Sequence, residues 1–203
     1  MTRIILSLIM AAAFTLNAGA QNAEKARKVL DKTASIISHK GGASADFKMS
    51  GAKTGTVAGK ISIKGNQFHA TTPDASVWYN GKTQWAYMES TEEVNVSNPT
   101  EAQQAQMNPY KFITLYKSGY ALSMKTLAGA YEVHLKATSA KRSIKEMYIT
   151  INSKSYLPTT VKMMQNGKWT TIQISNFKAA NLSDATFTFN PKNYPDAEII
   201  DLR

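Results

Sequence analysis

The chain has 203 residues and no cysteine, and 24 Lys+Arg against 14 Asp+Glu give it a formal net charge of +10. Without cysteine there can be no disulfide, thiolate catalysis or cysteine metal site, so stability has to come from a packed core. The lysines are scattered rather than clustered, which fits a solvated surface with weak attraction to anionic membranes or acidic partners; no nucleic-acid partner is expected.

Residues 1–20 read as a secretory signal peptide. Arg3 supplies a positive start, Ile4 to Leu16 is almost continuously apolar, and Ala18-Gly19-Ala20 is a small-residue cleavage site. The apolar part is too short to span a bilayer. The expectation is an exported protein whose residues 21–203 form a single domain.

From Ala23 to Ser38 the residues Ala26, Val29/Leu30, Thr33 and Ile36/Ile37 recur at helical spacing, and Gly41-Gly42 supplies the stop. From Ser44 the period changes to two. Phe47 and Met49 alternate with Asp46 and Lys48, and Val57, Ile61 and Ile63 alternate with polar neighbours. The pattern returns in Val133/Leu135, Met147/Ile149/Ile151, Val161/Met163, Ile172/Ile174 and Phe187/Phe189, with turn signals such as Asn80-Gly81 and Asn166-Gly167 between runs. Strict alternation predicts antiparallel strands with one wet face. About eleven strands are expected.

One segment, Asn98 to Gly119, interrupts the strands. Asn98-Pro99 and Asn108-Pro109 each place a capping residue before a proline, and Phe112, Leu115 and Tyr116 form an apolar stripe. The fold class is therefore α+β, mostly β. A curved antiparallel sheet, apolar on its concave side, forms an open half-barrel lidded by the N-terminal helix and this central helical insertion.

Familiar reaction chemistry is missing. Gly81-Lys82-Thr83 ends like a phosphate-binding loop, but Ser76 stands where the first glycine is required and strand formers follow. His39, His69 and His134 have no metal-ligand spacing, and the last two fall on polar strand positions as solvated residues. No nucleophile elbow occurs and no carboxylate pair is nominated, so no enzyme, metal or cofactor is expected. What the sequence does offer is soft apolar surface: Met49, Met88, Met107, Met124, Met147, Met163 and Met164 follow the signal segment. Methionine suits adaptable binding walls.

In the stretch VWYNGKTQWAY, a two-residue turn at Asn80-Gly81 would set Tyr79 opposite Lys82, Trp78 opposite Thr83 and Ser76 opposite Trp85. Trp78, Trp85 and Tyr87 then share one face, with Val77, Tyr79, Lys82, Gln84 and Ala86 on the other. The aromatic face is the candidate wall for a hydrophobic ligand, and alternation alone does not decide which of the two turns inward.

The run from Asp74 to Tyr87, Glu93-Val94-Asn95-Val96, Asn108-Pro109 and the ending DATFTFNPKNYPDAEIIDLR together resemble the LolA family of periplasmic lipoprotein carriers. The resemblance implies a half-open barrel whose cavity takes the acyl chains of a lipoprotein. An inner-membrane ABC transporter would release that cargo, and a monomeric carrier would deliver it to an outer-membrane acceptor or lipid surface. On this reading the lining comprises Phe47, Met49, Ile61, Ile63 and Phe68, then Trp78, Trp85 and Tyr87. Met107, Phe112, Leu115 and Tyr116 of the insertion follow, and then Met124, Met147 and Met163. The family commonly carries a lid-closing arginine where this chain reads Lys64-Gly65-Asn66; Lys64 would supply the charge but not the bidentate fork. That departure keeps open a carrier of another lipid or glycolipid. Related half-barrels that sense lipid to control envelope stress keep open a regulatory module.

Overall fold

The computed structural model describes residues 2–51, 55–100, 103 and 114–203, with side chains from Gly19 onward. It begins with a single helix, α1 (Thr2–Ile37), and then builds one sheet from twelve strands. These are β1 (Ala43–Gly51), β2 (Gly55–Lys64), β3 (Gln67–Thr71), β4 (Ala75–Tyr79), β5 (Gln84–Met88) and β6 (Glu93–Ser97), followed by β7 (Tyr120–Leu127), β8 (Ala130–Ala137), β9 (Ile144–Asn152), β10 (Pro158–Gln165), β11 (Lys168–Ala179) and β12 (Glu198–Asp201).

The spatial order is β12-β6-β5-β4-β3-β2-β1-β11-β10-β9-β8-β7. Two meanders therefore run outward from a central seam, where β1 pairs with β11. The edges β12 and β7 are not paired with each other, so the sheet curls without closing. All neighbours are antiparallel except β12, which runs parallel to β6.

Register makes the concave face continuous. One row reads Met124, Val133, Ile149, Val161, Ile172, Met49 and Val57 from β7 across to β2. Period-two alternation on successive strands puts each of these on the same side. A bulge in β11 opposite Ser44–Asp46 adds one residue, with Asn176 at φ 52 and its amide donating to Asp46 Oδ2 at 2.6 Å. The extra residue restores Phe177 to the face that carries Ile172 and Ile174.

Helix α1 lies over this face. Ala26, Val29 and Leu30 pack against Tyr120, Leu122, Val133, Leu135 and Met147, while Ile37 packs with Ala43, Ile63, Phe68 and Tyr79. Asn22 ties the helix to the β7 edge: its side-chain amide donates to Met124 O at 3.0 Å and its Oδ1 accepts from Met124 N at 2.7 Å. The side chain thus takes the place of a neighbouring strand, which blunts an exposed edge.

Three expectations change in detail. The sheet has twelve strands rather than about eleven, because the short β12 lacks a full alternating pattern. Phe187 and Phe189 do not form a strand; Asp184–Phe187 is a 3-10 turn that buries Phe187 completely. Of the insertion, Asn98 to Thr100, Gln103 and the residues from Thr114 are described; Asn98 to Thr100 are not helical, and Leu115–Lys117 forms a 3-10 turn. Asn108-Pro109, Met107 and Phe112 lie outside the described residues.

Candidate functional site: an apolar cavity beneath the N-terminal helix

Between α1 and the concave face lies a cavity of about 430 Å³. Leu30, Thr33 and Ile37 roof it at helical spacing. The floor comes from both sides of the central seam: Ala43, Ala45, Phe47 and Met49 of β1; Ile61 and Ile63 of β2; Phe68 and Ala70 of β3; and Met147, Ile149, Val161, Met163, Ile172, Ile174 and Phe177 of β9–β11. The cavity exists because small residues alternate with large ones. Ala45, Ile61 and Ala70 form one cross-strand row, leaving hollows on either side of the isoleucine. Phe47 lies against Gly59, where an added Cβ would collide with Thr71 O and sit 2.7 Å from Phe47 Cζ. Glycine there lets the ring lie flat along the wall.

Of the residues expected to line the site, Phe47, Met49, Ile61, Ile63, Phe68, Met147 and Met163 meet at this cavity. Leu115, Tyr116 and Met124 instead build the packed block between α1 and β7–β9. Tyr116 is buried, and its hydroxyl donates to Asp31 Oδ1 at 2.6 Å. Burial first, and then that hydrogen bond, push its phenol well above the ordinary range.

The aromatic hairpin is a correction. Trp78, Trp85 and Tyr87 do share a face, but it is the one turned away from the cavity. Trp78 pairs with His69 and Trp85, whereas Tyr79 pairs with cavity-facing Phe68. Phe189 and Tyr194 of the C-terminal segment cover the aromatics, with ring centroids 5.4 and 5.6 Å from Trp78. The turn also differs. Asn80 Oδ1 accepts from Lys82 N and Thr83 N, which spans the loop over four residues and sets Trp78 opposite Trp85. The register moves by two from the expected one, so every face is preserved.

Lys64, expected to control the lid, is engaged by the C-terminal segment. Its Nζ donates to Leu182 O and to Asp184 Oδ1, each at 2.9 Å, which pins the start of the C-terminal segment to β2. His69, expected to be solvated, stacks on Trp78 at 4.9 Å with Nε2 buried and, among the described residues, unpartnered. Burial holds its pKa below the ordinary value. His134 stacks on Tyr148 at 4.3 Å, and its Nε2 lies 3.0 Å from Glu146 Oε1.

The roof residues Leu30, Thr33 and Ile37 are lining that sequence reasoning missed, although the helical stripe containing them was legible. Among the described residues no group of three or more His, Asp or Glu could hold a metal ion. The one carboxylate on the wall, Asp46, is hydrogen-bonded to Asn176. Such a site can shelter hydrocarbon, and it presents no described nucleophile–base pair.

The sequence profile of the family described as "Outer membrane lipoprotein carrier protein LolA" matches residues 16–168. No curated protein sequence matches the chain. Among solved structures, an uncharacterized conserved protein from Thermus thermophilus is similar at 15% identity and TM-score 0.59, covering 87% of this chain and 99% of that one. A LolA superfamily protein from Nitrosomonas europaea gives 10% identity and TM-score 0.44 over 81% and 97% of the two chains. A DUF1329 family protein from Desulfovibrio piger gives 12% and 0.49 over 82% and 97%.

Proposed function

The chain belongs to the LolA family of outer membrane lipoprotein carrier proteins, and from that premise we propose that it shelters lipoprotein acyl chains in the cavity beneath α1 and carries them across the periplasm. The observation that carries this reading is the cavity itself, with methionine, isoleucine and phenylalanine on its walls beneath a helical roof. Export by the segment 1–20 would place the carrier between the two membranes. An inner-membrane ABC transporter would load it, and an outer-membrane acceptor or lipid surface would unload it.

The energetics fit a carrier that must let go. For one saturated chain of ~14 methylenes, these apolar walls stand in for hydrocarbon solvent. Burying ~14 methylenes at ~0.8 kcal/mol each gives ~11 kcal/mol, against an association cost of ~4–15 kcal/mol. The balance is a reversible complex. Lys64, standing where the family commonly carries an arginine and bonded to the C-terminal segment, favours a second reading in the same class, carriage of a lipid other than a lipoprotein.

The test is release of newly made lipoprotein from spheroplasts by added protein. Soluble lipoprotein–carrier complex is the expected product. If the protein instead retains only free lipid and releases no lipoprotein, the second reading replaces the first.

A further inference from the structure

Thr33 stands in the roof between Leu30 and Ile37, and its residue is 3% exposed. Its Oγ1 is buried with no hydrogen-bond partner among the described residues. A threonine within a helix ordinarily donates to the carbonyl one turn back, and here it does not. The other side chains around the cavity are mostly hydrocarbon, and the polar ones, Ser44, Asp46, Gln165 and Thr170, make no hydrogen bond to Thr33. A buried hydroxyl left unsatisfied is costly, and such groups in native proteins have a partner or a use.

We propose that Thr33 is a specificity-determining residue, donating a hydrogen bond to the carbonyl oxygen of a bound acyl ligand. The inference rests on the acyl-carrier reading and adds to it a requirement for an oxygen acceptor on the chain. Threonine in a helix divides between two χ1 rotamers, so rotation about Cα–Cβ exchanges which of Oγ1 and the methyl group meets the cavity. The oxygen is packed away from solvent, and a ligand carbonyl gives it a reason to turn. A plain hydrocarbon chain offers no such partner, so the site separates acylated from alkylated ligands of equal length.

The experiment compares a 14-carbon 1-acyl lysophospholipid with its 1-O-alkyl ether analogue. Head group and chain length match; only the carbonyl differs. Binding is measured by calorimetry below the critical micelle concentration, on the wild type, Thr33→Val and Thr33→Ser. The wild type is expected to prefer the ester by ~3–10-fold, the range of one neutral hydrogen bond. T33V should bring ester binding down to the ether level, and T33S should retain the preference. Equal preference in wild type and T33V, or no preference in the wild type, overturns the role of Thr33 while leaving the carrier reading intact. Failure of the wild type to bind either lipid overturns both. Thermal melting of each variant checks independently that it is folded.

Discussion

Filling the cavity floor should weaken acyl binding without unfolding the protein, and Ala70→Leu is the sharpest way to do it. Ala70 is partly exposed and lines the cavity beside Ile61, so the added isopropyl group extends into the cavity rather than into packed atoms. Its three extra carbons take the room of about three methylenes of a bound chain. A chain that loses room for about three methylenes forfeits ~2.4 kcal/mol of burial. That corresponds to a Kd raised ~50-fold. The thermal midpoint should hold or rise, because filling a void adds contacts instead of straining a full core. Calorimetric titration with a 14-carbon lysophospholipid, paired with thermal melting, reads both quantities. Unchanged affinity at unchanged stability would refute the assignment of this cavity as the ligand site. A loss of affinity that tracks a fall in melting temperature would refute the claim that Ala70 faces free volume.

Other substitutions separate the cavity from the opposite face. Trp78→Ala removes the ring held by Phe189 and Tyr194; it should cost ~3–5 kcal/mol in denaturant unfolding yet leave the ester affinity of the folded protein within about twofold. Lys64→Met deletes two hydrogen bonds to the C-terminal segment, one of them to exposed Asp184. The cost should be ~1 kcal/mol, and limited proteolysis should cut sooner after Ala180. His69, held neutral by burial, has a folded pKa below its ordinary value of 6.5. Its contribution to stability is therefore complete above pH 6.5 and declines as pH falls through and below that value. The Phe variant of His69 should show a flatter pH–stability curve between pH 6.5 and 5. The raised phenols of Tyr116 and Tyr120 act oppositely: their stability is full below pH ~10 and lost as pH rises further, and Tyr116→Phe should reduce that alkaline loss.

The sheet was legible because its residues alternate without ambiguity. Met147-x-Ile149-x-Ile151 and Val161-x-Met163 can satisfy a buried face only as strands, and the structure buries Met147, Ile149, Ile151 and Met163 on one side. The same alternation is symmetric about the hairpin at Asn80-Gly81. It tells which residues travel together, but not which group turns inward. That choice was decided by Phe68 opposite Tyr79 and by a distant segment, Phe189 to Tyr194, which covers the other face. Local pattern carries no information about a cover more than a hundred residues away. Lys64 illustrates the same limit, since its partners Leu182 and Asp184 lie 118 and 120 residues downstream. Thr33 was hidden for another reason. A threonine on an apolar helical stripe looks like tolerated packing until its hydroxyl is seen to have no partner among the described residues.

An acyl chain in the space between α1 and the β1–β3 floor is the feature on which the carrier reading turns. Crystals grown with a 14-carbon lysophospholipid brominated near the chain end would locate that chain by anomalous scattering. The expected result is a bromine peak inside the cavity, within van der Waals distance of residues such as Phe47, Ile61 or Met147. A peak on the opposite face, against Trp85 or Tyr87, or none within the protein at full ligand saturation, would contradict it.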